Sequence, residues 1–237
     1  MRSRVWKAVV GGVCALACGG EKRQESPGTS EGPSLPAQCR ALRDLPEAIL
    51  VDDFEDGDVL LDTTGGLHGL WYVENDGTGE QSPPAGEQTG GTLLAVPGAP
   101  TSAGHALHTT ASGFRSWGAF VGVRLNATPS RTCTVDVSTS RGLAFTARGR
   151  NGVRVNFASP ATTPVGDGGE CDADACSDYG AVITLGSDWQ RFELSFDELQ
   201  QPEWAAPAEW QPERLVRLSF WAEQSDFQLW LDEVSFF

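Results

Sequence analysis

Asp226–Phe237 reads DFQLWLDEVSFF. Phe227, Leu229 and Leu231 alternate with Gln228, Trp230 and Asp232, which is the period-two pattern of a strand with one face in a core. The apolar face runs almost to the last residue, whereas free chain ends normally fray, so this end should be paired inside a sheet. Its expected partner is Ile49–Glu55 (ILVDDFE), the first strand-like run of the folded part. Both runs carry carboxylates at their edges: Asp52, Asp53 and Glu55 in one, Asp232 and Glu233 in the other. Pairing them brings like charges together, at a cost unless a cation lies between. The sequence thus predicts a sandwich closed by its first and last strands, with either a calcium ion at the seam or a solvated acidic sheet end.

The chain has 237 residues and a net charge of −15. That length suits one large all-β domain, and the charge argues against a nucleic-acid partner. Met1–Cys18 has a basic start (Arg2, Arg4, Lys7) and a short apolar run, Ala8–Ala17, too short to span a bilayer. It ends ALAC-GG, which resembles a bacterial lipobox with Cys18 as the acylated residue. An ordinary cleaved signal and an uncut anchor are the alternatives. Acylation at Cys18 implies a lipid-anchored protein of the bacterial cell envelope, periplasmic or at the cell surface. Residues 19–45 read as a tether, with Gly19–Leu35 rich in Gly, Glu, Ser and Pro. The domain is expected over 46–237.

Export permits disulfides. Setting aside Cys14 and Cys18 leaves Cys39, Cys133, Cys171 and Cys176, which allow three connectivities. The short CDADAC loop favours Cys171–Cys176, which leaves Cys39–Cys133. Zinc is the rival, but no His lies near Cys171 or Cys176.

From about Pro46 onward, short apolar runs alternate with Gly, Pro, Asn and Asp, the spacing of a sandwich or barrel. Strands are expected at Trp71–Val73, Thr92–Val96, His105–Thr110, Trp117–Leu125, Trp189–Phe196, Leu215–Glu223 and Phe227–Val234. A helical turn is expected to start at Pro212. Two hairpins are expected. One joins His105–Thr110 to Trp117–Leu125. The other is Leu143–Phe157, where Gly149-Arg150-Asn151-Gly152 separates LAFTAR from VRVNF and favours a type I′ turn. In the second, Leu143, Phe145, Ala147, Val153, Val155 and Phe157 face the core, and Thr146, Arg148, Arg154 and Asn156 face outward.

Five pieces stand in order: LVDDFEDGD, WGAFVGVRL, DVSTSRGLAFTARG, WQRFELSFDEL and FQLWLDEVSF. Together they resemble the jelly-roll carbohydrate-binding modules of the galactose-binding-like superfamily, especially family 11 modules. The resemblance implies an all-β, two-sheet β-sandwich, a non-catalytic carbohydrate-binding role, and a structural calcium near the terminal strands. Glu55 and Asp232 match the acidic residues at that site, with Asp53 a further candidate ligand. Asp172, Asp174 and Asp178 form a second candidate cluster, without EF-hand spacing.

A saccharide site needs an aromatic platform and polar groups that meet hydroxyls. The superfamily topology places the strands at His105, Leu143, Val153 and Leu215 in one sheet. Their outward residues would then share a face: His108, Thr146, Arg148, Arg154, Asn156, Ser219 and Trp221. Val216, Leu218 and Phe220 take the inward positions, which leaves Trp221 outside as the platform. Its alternative cover is the Gln200–Glu213 loop. Trp71, Trp117 and Trp189 read as core or corner packing.

No HExxH or Glu-x-Asp-x-x-Glu motif is present, and the Gly-x-Ser-x-Gly string at Gly28–Gly32 falls in the tether and not at a strand-to-helix elbow. The expected partner is a polysaccharide or oligosaccharide that is bound and left uncut. A structural or adhesive surface protein is the rival reading, and a hydrolase of unfamiliar type the third.

Overall fold

The computed structural model describes residues 42, 45–61, 66–84, 92–95 (backbone only), 104–128, 131–222 and 226–237. All of them lie in the compact unit Pro33–Phe237. The strands are β1 (Ile49–Asp52), β2 (Trp71–Asn75), β3 (Glu80–Ser82), β4 (Thr92–Ala95), β5 (His105–Ser112), β6 (Ala119–Arg124), β7 (Ala127–Thr128), β8 (Arg131–Thr132), β9 (Gly142–Arg150), β10 (Gly152–Ala158), β11 (Tyr179–Thr184), β12 (Gln190–Ser195), β13 (Arg217–Ala222) and β14 (Phe227–Phe236). The turn at Pro212–Arg214 is a 3-10 helix with Pro at its start.

Two antiparallel sheets make the sandwich. One has seven strands, ordered β12-β9-β14-β5-β3, with β1 also on β14 and β4 also on β5; the other has five, ordered β11-β10-β13-β6-β2. The two-sheet β-sandwich read from the sequence is the observed fold.

The closing strand behaves as its pattern requires. β14 lies inside the seven-stranded sheet, with β9 along one edge and β5 and β1 sharing the other. Phe227, Leu229 and Leu231 are buried, and so are Val234 and Phe236. The phase changes at a bulge between Asp232 and Ser235, where Glu233 adopts a φ of +52°. One extra residue there returns the last apolar side chains to the core. β1 pairs with the end of β14, Ile49 opposite Phe236 and Leu50 opposite Ser235.

The core lies between the sheets. Phe145 on β9 and Phe220 on β13 meet across it edge to face, centroids 5.2 Å apart. Trp71 is fully buried against Phe54 and Phe220. A buried indole N–H needs an acceptor. Asp52 supplies it: its Oδ2 accepts from Trp71 Nε1 at 2.8 Å, and its Oδ1 accepts from Phe54 N at 2.7 Å. Burial pushes the Asp52 carboxyl up to about 8.

Neither expected hairpin forms. β5 belongs to the seven-stranded sheet and β6 to the five-stranded one, and β9 and β10 divide in the same way. Asn151 does adopt a positive φ of 70°, but the turn is a corner that carries the chain from sheet to sheet. Alternation is satisfied in either arrangement, because two apolar faces can meet a core side by side or from opposite sides. The inward set is as read: Leu143, Phe145, Ala147, Val153, Val155 and Phe157 are all buried.

Cys171 and Cys176 are bridged, with Cα atoms 6.1 Å apart. Cys133 is buried and disulfide-bonded. Cys39, the lipobox Cys18 and residues 19–41 of the tether lie outside the described residues.

Candidate functional site

The outer face of the five-stranded sheet gathers the aromatic residues that alternation turns away from the core. Register places Glu74, Phe120, Trp221, Arg154 and Val182 in one row across the strands. The neighbouring row is Tyr72, Gly122, Ser219, Asn156 and Gly180. Small residues keep that second row low. A Cβ at Gly180 would stand 2.4 Å from the Val155 carbonyl oxygen and 2.5 Å from Asn156 Oδ1, so the close approach of the β10 backbone requires glycine.

At one end of this face four rings meet. Trp117 and Trp221 are edge to face with centroids 5.7 Å apart. Phe120 lies 6.1 Å from Trp117 and 5.8 Å from Trp221, and Tyr72 meets Phe120 edge to face at 5.7 Å. Trp221 Nε1 donates to the Trp117 carbonyl at 2.7 Å. Trp221 is half-buried, and Trp117 is 38% exposed. Trp117, read as core or corner packing, packs on Phe120 and Trp221 just before β6 and keeps part of its ring at the surface. The Gln200–Glu213 loop packs its Trp210 on Phe157, Phe196 and Tyr179.

The other end is polar. Arg154 Nε donates to Asn156 Oδ1 at 2.8 Å, and its Nη2 donates to the Gln200 carbonyl. Arg217 Nη2 pairs with Asp178 Oδ2 at 3.0 Å, and Thr162 Oγ1 donates to Asp178 Oδ1 at 2.8 Å. Burial alone would lower the Arg217 pKa, but Tyr72 and Asp178 more than offset it and hold the guanidinium charged. The Arg217 guanidinium also lies over the Phe120 ring, 5.6 Å from its centroid. Asp178 is therefore committed to an ion pair and is withdrawn from the candidate cluster with Asp172 and Asp174.

The expected single face is divided. Trp221, Ser219, Arg154 and Asn156 lie on the five-stranded sheet, whereas His108, Thr146 and Arg148 lie on the seven-stranded one. Because β9 and β10 face each other across the core, these sets look out from opposite sides of the sandwich. On the second side His108 stacks on Trp230 at 4.2 Å, and Arg148 lies between Trp230 at 4.5 Å and Trp189 at 5.2 Å. Neighbouring side chains thus occupy the flat surfaces of Trp230. Burial, then the Arg148 charge, lowers the pKa of His108. Thr146 is buried and donates to Glu233 Oε2 at 2.8 Å.

The seam carries the acidic residues read as calcium ligands. Glu55 Oε2 and Asp232 Oδ2 are both buried without a hydrogen-bond partner. Burial first, then the charges of Glu233, Glu55 and Asp53, pushes the Asp232 carboxyl up to about 7. Asp53 Oδ1 accepts from Glu55 N at 3.2 Å. Two orphaned carboxylate oxygens among like charges fit an oxygen-seeking cation. Among the described residues, however, no three His, Cys, Asp or Glu side chains converge on one point. A cation here would draw further oxygens from the backbone. Asp52, also on this seam, turns inward to Trp71 instead.

No protein-family profile matches the chain. No curated protein matches it. Among solved structures, the chain is similar to a family 11 carbohydrate-binding module of a cellulosomal cellulase of Clostridium thermocellum (14% identity, 83% of this chain and 95% of that one, TM-score 0.49). A family 11 module from the same organism, in complex with a β-1,3-1,4-mixed-linked tetrasaccharide, is similar at 14% identity over 80% of this chain and 94% of that one, TM-score 0.47. A family 30 module of a C. thermocellum cellulosomal cellulase is similar at 15% identity over 80% of this chain and 96% of that one, TM-score 0.48.

Proposed function

We propose that this chain is an exported protein, anchored through lipid on Cys18, that binds carbohydrate without cleaving it. The observation that carries the reading is the outer face of the five-stranded sheet, where Trp117, Trp221, Phe120 and Tyr72 stand beside Arg154, Asn156 and Arg217. Aromatic surface suits the apolar side of a pyranose, and fixed polar side chains suit its hydroxyls. The surface offered to a sugar is Trp221 and Arg154 from the residues read in the sequence, joined by Trp117 and Tyr72; Asn156 and Phe120 are buried beneath them, Asn156 holding Arg154 and Phe120 backing the rings. His108, Arg148 and Thr146 lie on the other side and are not part of it. A calcium ion held by Glu55 and Asp232 would steady the join between the first and last strands.

A glycan array on the soluble domain, with a β-1,3-1,4-linked glucan in the panel, tests the reading. Binding that falls with Trp221→Ala supports it; no glycan bound by the wild type removes it. The rival is a structural or adhesive surface protein. It is favoured by the cover that Trp117 gives Trp221, which satisfies the indole without a ligand.

A further inference from the structure

Residues 76–78 and 115–118 are laced together at the aromatic end of this face. Asp76 Oδ2 accepts from Ser116 N at 2.9 Å and from Gly118 N at 2.8 Å, the two residues that flank Trp117. Its Oδ1 accepts from Thr78 N at 2.9 Å and Thr78 Oγ1 at 2.6 Å. The same hydroxyl accepts from Arg115 N at 2.8 Å, and Asp76 N donates to the Gly118 carbonyl at 3.0 Å. Gly118 takes a φ of +96°, so the backbone turns sharply just after Trp117. The Trp117 carbonyl in turn accepts from Trp221 Nε1.

We propose that Asp76 is the positioning residue of the aromatic platform. By holding the N–H groups on both sides of Trp117, it fixes that ring and carbonyl, and through the carbonyl it fixes the Trp221 indole. The inference rests on the outer face being the carbohydrate site, but its structural half is measurable without any sugar. Four donors converge on one carboxylate, so the role requires an acceptor-only group. Desolvation alone would raise the Asp76 carboxyl, but the hydrogen bonds from Thr78, Gly118 and Ser116 together outweigh it and hold the group at about 2, which keeps it ionised. An amide at this position has one acceptor oxygen and must turn its NH2 toward one of the two donor pairs. Asparagine fills the space and fails the role. A preformed platform also loses less freedom on binding, which is where such positioning enters affinity.

The test compares wild type, Asp76→Asn, Asp76→Ala and Trp221→Phe. Two indoles at this separation give an exciton couplet in circular dichroism, which Trp221→Phe assigns. Both Asp76 variants should lose the couplet while melting as cooperatively as wild type. Their affinity for a β-1,3-1,4-linked tetrasaccharide should fall about tenfold. If Asp76→Ala does not fold, the near-isosteric Asp76→Asn still decides. A purely space-filling role would be rescued by asparagine, so an unchanged couplet in Asp76→Asn overturns the proposal. A wild type that shows the couplet yet binds no glycan removes the carbohydrate reading, and the couplet in the variants still judges Asp76.

Discussion

Trp221 Nε1 donates to the backbone carbonyl of Trp117 at 2.7 Å, and the two rings meet at 89°. One bond therefore joins β13 to the loop before β6, at the point where both strands turn their large residues outward. Trp117 is a cover for Trp221 and an aromatic surface in its own right. The carbohydrate reading needs the second role; the structural reading needs only the first.

The buried acceptor at Asp52 sets a stability prediction. Asp52→Ala removes the partners of both Trp71 Nε1 and Phe54 N. The expected loss is roughly 2 kcal/mol or more, since each buried donor left unpaired costs on the order of 1–3 kcal/mol. Urea unfolding measures it. A midpoint equal to wild type would show that the pair contributes nothing.

Calcium should stabilise the seam. A ligand that binds only folded protein adds about 2.7 kcal/mol at a concentration one hundred times its dissociation constant. Melting should therefore rise with calcium, and Asp232→Asn should abolish the rise. The same melting temperature in calcium and in chelator would remove the ion from the account.

His108 gives a pH signature on the other side of the sandwich. Arg148 faces it from β9, and Trp230 and Gln228 face it from β14. Its ring should titrate below the ordinary 6.5 by NMR, and Arg148→Gln should bring it back up. A depressed midpoint means that the unfolded chain takes the proton first. Stability should then fall as pH drops from 6.5 through that midpoint. An ordinary midpoint, unmoved by Arg148→Gln, would contradict the stacked arrangement.

The export reading has its own test. Cys18→Ser should abolish incorporation of labelled palmitate and release the protein from membranes. Limited proteolysis should cut between Gly19 and Leu35 and leave the domain whole. Label retained in Cys18→Ser would move the modification elsewhere.

The terminal strand was legible because its apolar alternation leaves one arrangement, a paired strand inside a sheet. Its bulge was not, since Glu233 breaks the pattern without saying whether the strand ends or slips by one residue. Sheet membership was hidden for a different reason. Leu143 and Val153 need the same core whichever side they approach from, so β9 and β10 read as neighbours when they are opposites. The topology implied by the resemblance made the same assignment, and it put Arg148 and His108 beside Trp221. The place of Phe120 on the outer face could have been found, because Ala119, Val121 and Val123 point inward; that Tyr72, Trp117 and Trp221 bury it there could not. Trp117 could not, because it stands before the strand begins, in a loop whose shape depends on Asp76, some forty residues earlier.

The central claim is that the outer face of the five-stranded sheet holds a sugar on Trp221. The most direct measurement is the affinity of Trp221→Ala for the glycan that wild type binds, with thermal unfolding followed in parallel. Loss of a stacking surface on the order of 1–3 kcal/mol should weaken binding about tenfold or more. The fold should survive, because Leu218 and Phe220 keep the core face of β13 intact. Unchanged affinity in a folded variant would contradict the claim.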